Sequence, residues 1–132
     1  MREATSPDIV EHLSPLPFAE TLARLSAAIA AAGLIEFSRI DHQAGAQQAG
    51  LAMPPTTVLT YGHPKGGTPV MLAAPLAALD LPLRVLVRER EDGQTAIAFR
   101  PIATVLRQAG VPDALADRLN PAQQILLKAL AS

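Results

Sequence analysis

Residues 61–71 read YGHPKGGTPVM: a tyrosine, a histidine and a lysine set among three glycines and two prolines. Such a run suits one of three tasks: cradling a phosphate, contributing to a metal site, or stiffening a turn. The phosphate reading needs G-x-x-x-x-G-K-[ST] between a strand and a helix. Gly62 and Gly67 have that separation, but Thr68 stands where the lysine belongs and Lys65 lies inside the loop. Pro64 also removes one backbone N–H from the set that would hold the phosphate. A nucleotide site is excluded.

Metal binding fares no better. The available ligands are His12, His42 and His63 with Asp41 and Asp80, and none falls at a local spacing such as H-x-x-x-H. A zinc site wants three or four ligands at fixed geometry. The absence of cysteine removes thiolate zinc, iron–sulfur clusters, disulfides and cysteine nucleophiles together. No serine sits in a G-x-S-x-G elbow. The carboxylates Glu89, Glu91 and Asp92 surround a hairpin tip, where such a run is solvent-facing. Neither a metal nor a cofactor is expected.

What remains is backbone. Pro64 restricts His63 to extended conformations, Gly66 and Gly67 permit positive φ, and Pro69 restricts Thr68 in its turn. The run reads as a tight turn that presents Lys65 at its tip.

The elements around it follow from periodicity and punctuation. A short strand spans 8–14. A helix begins at about Pro17, carries Phe18, Leu22, Leu25 and Ile29 on one face, and stops at Gly33. A second strand covers 34–42, with Ile35 and Phe37 on one face and Glu36 and Ser38 on the other. Asp41 caps a short helix that Gly50 ends. A third strand, 56–63, is apolar on both faces and is placed centrally in the sheet. Residues 81–100 form a hairpin around Glu91-Asp92-Gly93. A three-residue loop with Gly93 left-handed sets Val87 against Ile97 and keeps the apolar side chains on one face. Arg84, Arg88 and Arg100 then share the other face. Helices close the chain at 102–110, at 113–119 with Asp113 as cap, and at 120–130 with Asn120 as cap and Pro121 in the first turn. Strand, helix, several strands and then helices predict an α+β domain: an antiparallel sheet of four to five strands with helices on one face. All 132 residues form one domain.

Charge narrows the partners. Eleven Lys and Arg against twelve Asp and Glu, with 3% aromatic residues, disfavour nucleic acid. The longest lipid-like run, Leu25–Ile35, has eleven residues, against about 20 for a bilayer span. The amino terminus has no apolar core of the secretory kind. A cytoplasmic location without a membrane partner is expected. Between Gln43 and Leu79 the one formal charge is Lys65. So long an uncharged stretch, holding five prolines and a strand, cannot all be core, and charge depletion marks buried contact surface. The segment is expected to form a subunit contact or to line a pocket. The polar groups of that pocket would be Asp41, His42, His63, Lys65 and Thr68, with Tyr61 and Met71 as apolar wall.

Several blocks also carry a family resemblance. IDH followed by Ala44 and Ala46, then PPTTVLTYG, PKGGTPVM and LDLPLRVLV, resemble the bacterial and archaeal domain-of-unknown-function family numbered 302. The likeness covers about residues 8–108, leaving a helical extension at about 111–131. It implies a TATA-binding-protein-like α+β fold, commonly paired as dimers, and brings no known activity. Family members usually read Gly-Asn-Pro-Lys where this chain has His63 in the asparagine position. The expectation is a non-enzymatic homodimer that binds a small anionic or neutral ligand or a protein partner. The rivals are an enzyme with His42 as general base and a purely structural assembly domain.

Overall fold

The computed structural model describes residues 8–131. Among them, five strands form one antiparallel sheet in the order β1-β5-β4-β3-β2. These are β1 Val10–Ser14, β2 Ile35–Asp41, β3 Thr56–Gly62, β4 Leu83–Glu89 and β5 Thr95–Phe99. The helices are α1 Phe18–Ala31, α2 His42–Gln48, α3 Pro64–Ala73, α4 Ile102–Gln108, α5 Asp113–Ala116 and α6 Asn120–Leu130, with short 3-10 helices at Pro75–Asp80 and Asp117–Leu119. This is the α+β architecture expected from the order of elements.

The two faces of the sheet differ. Leu59, Tyr61, Val85, Val87 and Ile97 are fully buried on the side covered by helices. On the other side Val58, Leu86 and Ala98 form a half-exposed row across β3, β4 and β5. Period-two alternation produces this division strand by strand. The covering layer is held by α1 and α6. Leu25 and Ile29 of α1 and Leu126 and Leu130 of α6 are buried in one cluster with the strands, and Arg24 donates to the carbonyl of Ala129 at 3.2 Å. The last helix therefore packs on its own chain.

Local rules carry much of this. Gly33, Gly50 and Gly110 close α1, α2 and α4 with φ of 77°, 79° and 88°, the left-handed cap that glycine adopts without steric cost. Asp41 Oδ1 accepts from the Ala44 N–H at 2.9 Å, capping α2. Val87 lies opposite Ile97, and Gly93 takes φ 84° in the connecting loop, as apolar alternation requires.

Four expectations are corrected. GHPKGGTP is no turn: it starts α3. β3 is interior but off centre, since β4 holds the middle place. A bulge between Glu36 and Ser38 breaks the alternation of β2, so Glu36 lies beside Tyr61 and Ser38 beside Thr60. An extra residue in one strand shifts everything after it to the opposite face. Asp113 and Asn120 do not cap α5 and α6 with their side chains. Asp113 is instead drawn to Arg107 at 2.8 Å.

Candidate functional site

α3 is built from residues that individually disfavour a helix. His63 Nδ1 accepts from the Lys65 N–H at 3.1 Å, and the His63 carbonyl accepts from Gly66 and Gly67 at 3.0 Å each. Pro64 occupies the first helical position, where its missing N–H costs nothing. An asparagine side chain caps helices in the same way. Burial of Val70 at 0% exposure anchors the far end. Gly66 is the point of closest approach: a Cβ there would lie 3.0 Å from Leu119 Cδ2. The first turn of α3 thus sits directly against the start of α6.

Between these elements lies a cavity of about 1150 Å³. Its wall is mainly apolar: Leu34 and Phe37 from the start of β2, Met71 from α3, Leu81 and Leu83 before and in β4, Leu119 and Ile125 beside and in α6. The bulge in β2 matters here. It releases Phe37 from the strand's alternation and leaves the ring half-exposed, with Cε2 3.9 Å from where a Cβ on Gly62 would stand. The cis Leu81–Pro82 peptide lies in the same wall.

Polar groups are few, and those on the sheet side are satisfied. Ser38 and Thr60 hydroxyls bond each other at 2.6 Å. Tyr61 lies fully buried behind the wall and donates its hydroxyl to the Ala122 carbonyl at 3.1 Å. Burial pushes its phenol well above the usual tyrosine range. Two cations line the cavity, Lys65 and Arg118, and no carboxylate does. Neither has a side-chain partner among the described residues. The carboxylates near Arg118 are engaged elsewhere: Arg107 holds Asp113 and Asp117, each at 2.8 Å. These bonds, from Asp113 first, raise the pKa of the Arg107 guanidinium.

Of the residues singled out from sequence, His63, Lys65, Thr68 and Met71 line this cavity. Tyr61 supports it from behind. Asp41 and His42 lie exposed at the start of α2 and are not among its lining residues. The wall residues from α6 and Arg118 were not legible, because nothing in local sequence tells that the C-terminal helices return to α3. No group of three or more His, Asp or Glu that could hold a metal occurs among the described residues.

Comparison with known proteins gives three findings. The chain is 42% identical over 76 residues to the fluoride-specific ion channel FluC 1 of Brucella suis biovar 1, a stretch covering 58% of this chain and 30% of that protein. FluC 1 of Brucella abortus biovar 1 matches at the same identity over 28% of its length. The chain thus spans under a third of these curated relatives. In structure it is similar to an uncharacterized conserved DUF302 protein from Bacillus stearothermophilus, with a TM-score of 0.82, 18% identity, and 95% and 97% of the two chains covered. That likeness is one of fold. The family model described as domain of unknown function DUF302 matches residues 10–132, including the C-terminal helices, and the chain belongs to that family.

Proposed function

We propose that this domain is a binding module that holds an organic small molecule in the cavity between β2, α3 and α6. The observation that carries the reading is the cavity itself: about 1150 Å³, lined by apolar side chains with two unpaired cations among them. Ligand sites are concave and mostly apolar with a few polar groups, at roughly 300–1,000 Å³. The rival reading with His42 as general base gains nothing from this cavity, because His42 is not among its lining residues.

The curated relatives are named for fluoride conduction, but this chain matches under a third of their length. Among the described residues no helix is long and apolar enough to cross a membrane. A water molecule takes about 30 Å³ of liquid, so a monatomic ion of similar size would not fill the cavity. On this proposal the part shared with those longer proteins is a binding module beside the ion path.

Native mass spectrometry tests the reading. The chain purified without added ligand should carry a small-molecule adduct. Ala32→Trp, at an exposed position lining the cavity, should obstruct the opening and lose the adduct while keeping the melting temperature. An adduct retained unchanged in that variant, or bare protein in both, would overturn it.

Self-association is a second reading with its own observation. Leu51, Leu72, Leu76 and Leu79 are 67–79% exposed, and all lie in the segment whose sole formal charge is Lys65. Exposed apolar side chains in an uncharged segment suit an interaction site. The occupant we favour is a second copy of the chain. Sedimentation velocity should give a dimer, and Leu76→Glu with Leu79→Glu a folded monomer. A wild-type chain that stays monomeric at high concentration would end this reading.

A further inference from the structure

We infer that the cavity selects an anionic amphiphile, a molecule with one acidic head and an apolar body, and that Lys65 and Arg118 are the residues that read the head. The inference deepens the binding reading above and rests on it.

The two cations come from distant parts of the sequence, and one contact places them at a common site. Gly66 approaches Leu119 so closely that a Cβ would meet the leucine methyl at 3.0 Å. Lys65 and Arg118 are the residues immediately before each of these, so they flank the junction of α3 with the start of α6. Both are exposed and both line the cavity.

Among the described residues Arg84, Arg100 and Lys128 also lack a side-chain partner, but of these five cations Lys65 and Arg118 are the two that line the cavity. Arg24, Arg39, Arg90 and Arg107 each have a hydrogen bond or ion pair, and Arg88 binds Glu11 at 3.0 Å. Arg118 follows Asp117 directly, yet that carboxylate is held by Arg107 at 2.8 Å. Asp117 is thereby already paired, and it is not among the residues that line the cavity. With no Asp or Glu in the lining, the charged side chains there are both cations, and low-dielectric walls strengthen their pull on an anion.

The start of α3 does not compete for the same head. Its first free amides are already used, Lys65 N–H by the His63 ring and Gly66 and Gly67 by the His63 carbonyl. Recognition therefore falls to the two side chains. The arginine offers a planar fork matched to a carboxylate or phosphate, and the lysine a mobile point charge. The body of the ligand is then left to Phe37, Met71, Leu81 and Ile125, which carry no charge and need none. A free inorganic anion would use the cations and leave this wall wet.

Titration calorimetry of the full chain with decanoate, decanol, decyltrimethylammonium and inorganic phosphate tests this, with amide shifts recorded by NMR. Decanoate should bind and move cavity-lining residues, with decyltrimethylammonium at least roughly tenfold weaker and phosphate alone weaker still. Lys65→Gln and Arg118→Gln should each weaken decanoate roughly fivefold, as partly exposed charge pairs do, and together roughly 20-fold. Decanol should bind the double variant as it binds wild type, which also shows that the variant is folded. Added salt should reduce the preference for decanoate. Equal binding of decanoate and decyltrimethylammonium, or full decanoate affinity in the double variant, overturns the head selectivity and leaves the cavity as a ligand site. Failure of every decyl compound to move cavity residues overturns both.

Discussion

Gln123→Leu is expected to lower the unfolding free energy by about 2–4 kcal/mol, at roughly 1–3 kcal/mol for each buried backbone group left unpaired. Gln123 is 4% exposed although it is an amide on a helix. Its Oε1 accepts from the Ile102 N–H at 2.9 Å and its Nε2 donates to the Arg100 carbonyl at 2.9 Å. Both partners belong to the corner where β5 ends and α4 begins. Pro101 stands there as the residue before α4, and no side chain caps that helix. Gln123 therefore performs from α6 the work that a local cap would do. Leucine fills a similar volume and offers neither atom, so the loss isolates the two hydrogen bonds. Urea denaturation would measure it through a lower midpoint at unchanged slope. A loss below about 0.5 kcal/mol, the size of an ordinary surface change, would mean that the corner reaches water and that the amide is only packed.

Leu126→Ala should cost about 2–5 kcal/mol, the range for truncating a buried leucine. Leu126 is fully buried, and it belongs to the same cluster as Leu25 and Ile29 of α1 and Val85 and Val87 of β4. Truncation opens a void where the helical layer meets the sheet, and close-packed interiors collapse only partly around a void. The comparison that makes the measurement informative is Leu79→Ala. Leu79 is 79% exposed, so its replacement in a monomer should change stability by less than about 0.5 kcal/mol. A concentration-dependent loss at Leu79 would instead expose its burial in a self-associated form. The same residue type, in one chain, then reports core at one site and contact surface at the other.

Legibility was uneven for a reason visible in single residues. Gly33, Gly50 and Gly110 end their helices, and Val87 meets Ile97, because those outcomes depend on neighbours within a few residues or on simple alternation. The first turn of α3 went the other way. His63-Pro64 and Thr68-Pro69 look like extended dipeptides around a flexible pair of glycines. A histidine cap, the burial of Val70 and the fit of Gly66 against Leu119 override those preferences. Propensity is a weak prior that tertiary context overrides. The bulge in β2 was likewise invisible, since one extra residue leaves no mark in a pattern of four apolar and polar positions.

By itself, then, the sequence determined the class of fold, the glycine stops of α1, α2 and α4, the register of the hairpin, the family, and the lack of cysteine chemistry. Each of these follows from residue type at short range. Tertiary structure alone decided the cavity. Phe37 enters it beside a bulge, and Arg118, Leu119 and Ile125 through the return of the C-terminal helices to α3. The same long-range packing sets His42 and Asp41 outside it. A pocket is a property of surfaces that meet, and residues 65 and 118 come to line one cavity only after the chain has folded.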